Sequence, residues 1–300
     1  MKKKTYLFTL MAMALTLGSC SDNENGIGGE TSKYITVSTS IGNMTRVATD
    51  EKGGQTFEEG DEISVYAWTG DATVAPETRE RVVNNAINKL TNGSWISNPQ
   101  MLWKNNRDKH YFIGVYPISA ISDLSAGEYT FDVNKQTESD LLVAVNKDGL
   151  SYNVDEQQTV PLTFTHVMAK LVVNLTYKNQ WGGIPTVEKV VVGNAAKEAT
   201  INYLTKVVTP STTAKEDFSL PEITENTKYV SVIIPQEDVK QLTIVIGGKN
   251  FVYDNGTPFK LESGKITTVN LEVGRDEIKL GDVKITNWED GSTFSGEALN

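Results

Sequence analysis

Apolar and polar residues alternate one for one along most of this chain, the period of half-buried β-strands rather than of helices. Ile35, Val37, Thr39 and Ile41 alternate with Tyr34, Thr36, Ser38 and Ser40. Ile63, Val65 and Ala67 repeat the pattern, as do Tyr129, Phe131 and Val133, and then Val230, Val232 and Ile234. Turn chemistry separates such runs. Asn92-Gly93 stands ahead of Trp95, and Gly247-Gly248-Lys249-Asn250 divides Leu242–Ile246 from Phe251–Tyr253; these residue types accept the positive φ of tight hairpins. The stretch Glu80–Leu90 is ambiguous, because Val83, Ile87 and Leu90 also fit a helical stripe. Its second half is read as a strand entering the Asn-Gly hairpin. No long amphipathic helix is predicted elsewhere. The pattern predicts an all-β chain of many short strands, as in sandwiches.

The N-terminus departs from this pattern. Lys2, Lys3 and Lys4 precede an apolar run from Tyr6 to Leu17, shorter than the roughly 20 residues that span a bilayer. A basic cluster, a short apolar run and small residues at the junction describe an export signal over residues 1–19. The junction Leu17-Gly18-Ser19-Cys20 resembles the bacterial lipobox, in which small side chains flank the scissile bond and the thiol accepts lipid. Cys20 is therefore the expected lipidation site, the alternative being an ordinary signal with an incidental cysteine. Residues 20–32 are polar, acidic and glycine-bearing, a composition that reads as a flexible tether.

Charge and cysteine content narrow the function classes. Removing the three signal lysines leaves 25 basic against 38 acidic residues, a net charge of −13. That balance argues against nucleic acid as a partner and against binding to anionic lipid through surface charge. Cys20 is the only cysteine, so disulfides, a thiol nucleophile and a Cys-ligated metal are excluded.

An internal repeat points to two domains. Tyr111–Pro117 (YFIGVYP) is similar to Tyr229–Pro235 (YVSVIIP), and Leu124–Gly127 to Leu261–Gly264, each of the latter pair opening a strand. Between the copies the alternation changes phase. Apolar residues fall on even positions at Val160, Leu162, Phe164 and Met168, then on odd ones at Val167, Ala169, Leu171, Val173 and Leu175. Since side chains alternate faces, a phase flip marks a bulge or a passage between packed layers. The boundary is placed there, giving domains over 33–165 and 166–300.

The same segment carries a family resemblance. Phe164-Thr-His166-Val-Met168-Ala169-Lys170-Leu171 resembles the F-x-H-x-x-A-K-L hallmark of the fimbrillin-like proteins of Bacteroidales, the subunits of type V pili. In family order, Phe57–Tyr66 resembles F-x-x-G-D-x-I-x-V-Y, Tyr111–Pro117 the strand ending in Tyr-Pro, Leu261–Val273 the L-x-x-G-K strand, and Ile285–Trp288 the closing I-x-x-W. The acidic stretch after Cys20 is similar to the surface-export signal of Bacteroidota lipoproteins. The resemblance covers nearly the whole chain. It implies two transthyretin-like β-sandwich domains in tandem and an outer-membrane lipoprotein exposed at the cell surface. It also implies a fimbrial role in which other fimbrillin subunits are the partners.

Enzymatic readings find no support. His110 and His166 are the only histidines, and no HExxH, Walker loop or GxSxG elbow occurs. No cofactor or metal is expected. His166, at the phase flip, is assigned the structural role of tying down a bulged backbone group. Nothing singles out a carboxylate pair for glycoside cleavage. Trp68 and Trp95 are candidates for stacking on sugars, with core or hairpin packing the favoured reading. The resemblance implies cleavage after an Arg beyond the first strand, which places processing between Arg46 and Val47. Residues 276–300 are the candidate donor segment, with Ile278 and Leu280 in one phase, Val283 and Ile285 in the other, and Gly281 between them; an ordinary internal strand is the alternative. The runner-up function is a pilus-tip or stand-alone surface lipoprotein that binds a glycan or a host protein.

Overall fold

A computed structural model describes residues 33–42, 56–156 and 158–288. The chain is all-β, as the alternation predicts. The first half supplies β1 (Thr36–Ile41), β2 (Glu62–Thr69), β3 (Arg81–Thr91), β4 (Ser94–Asn98), β5 (His110–Tyr116), β6 (Gly127–Thr130), a single helical turn α1 (Gln136–Ser139), β7 (Leu142–Leu150) and β8 (Thr159–His166). The second half supplies β9 (Ala169–Tyr177), β10 (Val187–Ala196), β11 (Glu198–Asn202), β12 (Val207–Pro210), β13 (Lys215–Ser219), β14 (Glu222–Thr224), β15 (Lys228–Ile233), β16 (Gln236–Ile246), β17 (Lys249–Leu261), β18 (Lys265–Val273) and β19 (Ile278–Asn287). From Arg81 onward the ambiguous stretch is strand, Glu80 closing a 3-10 turn before it: β3 runs into a turn with Asn92 at φ 51° and Gly93 at φ 73°, the conformation the Asn-Gly pair favours.

Seven strands form one sheet in the order β1-β8-β7-β5-β2-β3-β4. Its own core holds Ile35, Val37, Ile63, Val65, Phe112, Leu142, Val160, Leu162 and Phe164. The middle of β2 is buried on both faces, unlike the half-buried strand its alternation suggests, from Ile63 to Trp68. The reason lies in the polar tips on its second face. The Ser64 hydroxyl accepts Ser119 N at 2.9 Å, and the Tyr66 hydroxyl accepts Ile121 N at 2.9 Å. These bonds draw residues 119–121 across the sheet and bury the aromatic bodies beneath.

In the second half, the order β14-β15-β9-β18-β19 makes a five-stranded sheet and β13-β10-β16-β17 a four-stranded one. Val190, Val192, Leu242 and Ile244 of the latter pack with Leu171, Val173, Val269 and Leu271 of the former. A third sheet, β12-β11-β6, takes its β6 from the first half of the chain. The phase flip falls where the chain leaves the seven-stranded sheet after His166 and enters the five-stranded sheet at Ala169, with Val167 and Met168 buried between. Each half also repeats one feature: β1 runs parallel to β8, and β9 runs parallel to β18.

Candidate functional site

Two edge strands hold the described residues that the sequence nominates for assembly: β1 in the seven-stranded sheet and β19 in the five-stranded one. β1 closes one edge of the seven-stranded sheet, and its ladder to β8 sets Thr36 opposite Thr159 and Ile41 opposite Phe164. On the outer face this ladder is supplemented by hydroxyl contacts, Thr36 Oγ1 to Thr159 Oγ1 and Ser40 Oγ to Thr163 Oγ1, both at 3.2 Å. On the inner face Ile35 and Val37 are buried and Ile41 is half-buried, the set the alternation predicts. Ile35 N donates to Met101 O at 3.0 Å and Trp103 N to Lys33 O at 3.1 Å, tying down the start of the strand. Across from β1 lies the hairpin strand β4, whose Trp95 Nε1 donates to Thr39 Oγ1 at 3.0 Å. A cleft of ≈ 710 Å³ separates the two edges, lined by Thr36–Ile41, Phe57, Trp95 and Ile96.

Residues of three family motifs, Phe57, Tyr116 and Phe164, meet at the end of β1. The Phe57 ring meets Trp95, Tyr116 and Phe164 edge-on, with centroids 5.3, 5.4 and 5.1 Å away. Gly60 takes φ 96° while the Asp61 carboxylate accepts Glu58 N at 2.7 Å. A non-glycine residue is strained at that φ. Burial, with Asp61 adding to it, raises the Tyr116 phenol above its ordinary pKa.

β19 is an edge strand of the five-stranded sheet, antiparallel to β18. Ile278 and Leu280 are half-buried, while Val283 and Ile285 remain 40% and 38% exposed. The break in phase is a β-bulge. Leu280 pairs with Leu271 and Val283 with Val269, so Gly281 and Asp282 together face Asn270. Two residues opposite one restore register, and all four apolar side chains share one face of the strand. Asn270 Nδ2 donates to the Asp282 carboxylate at 2.6 Å across the bulge.

The hallmark segment lies beside Trp288, the residue that follows this strand. His166 Nδ1 is 2.8 Å from Asp140 Oδ1. Its ring stacks on Trp288, with centroids 4.1 Å apart and planes 6° apart. Lys170 Nζ sits 5.1 Å from the Trp288 centroid, and burial lowers its pKa, an effect partly offset by Asp140. The turn of the L-x-x-G-K motif closes on the same link, with Gly264 N donating to Met168 O at 2.9 Å and Ser263 Oγ to Val167 O at 2.8 Å. His166 thus meets a carboxylate on one side and an indole on its face. Asp140 had no signal in the sequence, because its partner is 26 positions away.

The remaining candidates are placed as follows. Cys20, Arg46 and Val47 lie outside the described residues, as do the signal, the tether and residues 289–300 of the donor segment. Trp68 is 1% exposed, with its Nε1 on Asp71 O at 2.9 Å, whereas Trp95 is half-buried against Phe57 and lines the cleft beside β1. Among the described residues no three His, Cys, Asp or Glu side chains converge as a metal site would require.

This set of motif residues, gathered around two strand edges, is matched by the family model for fimbrillin-like proteins over residues 45–288. The chain belongs to the fimbrillin-like family. Solved structures share the fold. A candidate cell adhesion protein from Bacteroides uniformis aligns with a TM-score of 0.63 at 19% identity, over 86% of this chain and 100% of that one. Another from Bacteroides ovatus gives 0.61 at 17%, over 85% and 98%. A fimbrial protein from Bacteroides vulgatus gives 0.52 at 12%, over 84% and 99%. No curated protein matches the fimbrillin-like chain.

Proposed function

We propose that this fimbrillin-like chain is a structural subunit of a cell-surface fimbria, exported as a lipoprotein through Cys20 and assembled by strand exchange. The observation that carries the reading is the state of β1. It is an edge strand whose one full ladder is the parallel pairing with β8, supplemented at its start by backbone bonds to Met101 and Trp103, and the sequence that joins it to β2 contains Arg46. Cleavage between Arg46 and Val47 leaves β1 held by non-covalent contacts alone. Its loss would uncover Val160, Leu162 and Phe164, and an apolar groove beside an unpaired backbone edge recruits another strand. β19 of a neighbouring subunit is the proposed donor, through Ile278, Leu280, Val283 and Ile285. N-terminal sequencing of surface fimbrial material should start at Val47. Deletion of Asp276–Asn300 should leave folded monomers that accept one subunit but extend no fibre. A start at Cys20 in all assembled material would exclude the cleavage, and long detergent-resistant ladders from the truncated chain would exclude the donor.

A second reading, a tip or stand-alone surface protein that binds a glycan or host protein, has one observation in its favour. A cleft of ≈ 770 Å³ is lined by Trp103, Arg79, Glu80 and Lys104, with Val74 and Leu102 exposed on its rim. Retention of β1 on the mature surface protein would favour this reading.

A further inference from the structure

We propose that the stack of Trp288 on His166 is a latch that holds β19 on its own sheet and sets how readily the strand is released. The latch stands on the contacts themselves; its role in controlling assembly rests on the donor-strand reading above.

β19 is an edge strand, fastened along its length by a single ladder and by Ile278 and Leu280 packed on the core. It pairs on one side only, its ladder is interrupted by the bulge, and Val283 and Ile285 are uncovered. Its first end cannot open, because the turn to β18 is covalent and closed by Gly274 N on Glu277 O at 2.8 Å. Peeling must therefore begin at the far end, and that end is where the fastening concentrates. Asn287 is exposed, yet the next residue, Trp288, is 5% exposed. Its backbone N donates to Gly264 O at 3.0 Å, and its ring lies flat on His166 with the Lys170 ammonium nearby. An ammonium over an indole face is attracted by the ring quadrupole.

What the latch grips matters as much as its strength. His166 ends β8 in the seven-stranded sheet, whereas β19 belongs to the five-stranded sheet. Asp140 holds the imidazole from a third segment. The last strand of the chain is thus pinned across the passage between the two halves, at the hallmark motif itself. The geometry gives a reason for the closing tryptophan and the histidine to occur together: neither makes the stack alone.

Hydrogen exchange on the full mature chain tests the latch. Trp288→Ala should raise exchange of the β19 amides about tenfold or more, on the scale of losing a buried aromatic pair. The seven-stranded sheet and β9 should keep wild-type protection. Trp288→Phe, which retains a ring over His166, should fall between the two. Unchanged β19 exchange in Trp288→Ala overturns the latch, and so does loosening of both halves together, which makes Trp288 an ordinary core residue. A disulfide staple separates the two layers of the proposal. Thr268 and Lys284 are ladder partners, so Thr268→Cys with Lys284→Cys, oxidised, fixes β19 to β18. If trypsin-treated protein forms ladders faster with Trp288→Ala and not at all with the staple, both layers stand. Ladders from the stapled chain reject the donor reading while leaving the exchange result to decide the latch.

Discussion

At the residue scale, burial decides what the two histidines do. The sequence marks His166 by its place in the hallmark segment, and His110 only by the scarcity of histidine. The structure makes His110 a neutral backbone clamp: its Nε2 accepts Lys104 N at 3.0 Å, so Nδ1 is the protonated nitrogen that donates to Asp108 O at 3.0 Å. The ring is buried and meets Trp103 edge-on. Burial lowers its pKa below the ordinary 6.5, an effect the Asp108 carbonyl only partly offsets. Between the depressed value and 6.5 the unfolded chain binds a proton that the folded chain does not, so stability rises with pH across that window. The His110 contribution should be fully present above pH 6.5 and decline as pH falls toward the depressed value. Urea midpoints at pH 7.5 and 5.5 should therefore differ more in the wild type than in His110→Gln. Equal pH dependence in both proteins would assign the effect elsewhere. The substitution itself should cost roughly 1 to 3 kcal/mol at pH 7.5, if it leaves a buried amide without its partner.

At the scale of the element, phase was the most legible quantity in the sequence. The flips near His166 and near Gly281 could be read because side-chain period in a strand is two, so each break marks a physical event. Their nature could not be read. One is a passage between sheets and the other a bulge, and only the partner strand distinguishes them. Pairing was equally hidden: β1 lies beside β8, more than a hundred residues on, because a parallel neighbour requires a long crossover. The bulge yields a test of the register. Deleting Gly281 leaves Asp282 alone opposite Asn270, to which it already bonds, and keeps Ile278, Leu280, Val283 and Ile285 on one face. Deleting Lys279 instead turns Ile278 to the other face. The first deletion should leave Tm nearly unchanged, and the second should lower it by about 2 to 4 °C, near 1 kcal/mol of lost burial. A larger loss from removing Gly281 would mean that the bulge itself is a stabilising feature.

For the whole molecule, the repeat and the phase flip suggest two units meeting at residues 165 and 166, yet the halves share more than that link. β6 pairs with β11, with Ala199 opposite Tyr129 and Thr200 opposite Glu128. The Gln136 side chain accepts Val232 N at 2.6 Å and donates to Ser231 Oγ at 3.2 Å, fastening α1 to β15. Tyr66, Trp68, Ile113, Leu124 and Phe131 belong to the same buried cluster as Val190, Leu242 and Leu271. None of these contacts could be placed from the period alone, since alternation marks a buried face without saying which strand or segment lies against it. Their consequence is thermodynamic. Cutting the chain between Thr165 and His166 would expose apolar side chains of both halves, each worth about 1.5 to 3 kcal/mol when buried, on a scale comparable with total folding stability. Residues 33–165 and 166–300 expressed apart should therefore each show loose tertiary packing, while the full mature chain unfolds in one transition. Calorimetry and urea denaturation followed by Trp fluorescence and far-UV circular dichroism would test this together, because a shared core requires the curves to coincide. Two well-separated transitions, matched by two stable fragments, would show that β6 and the shared cluster join domains that fold independently.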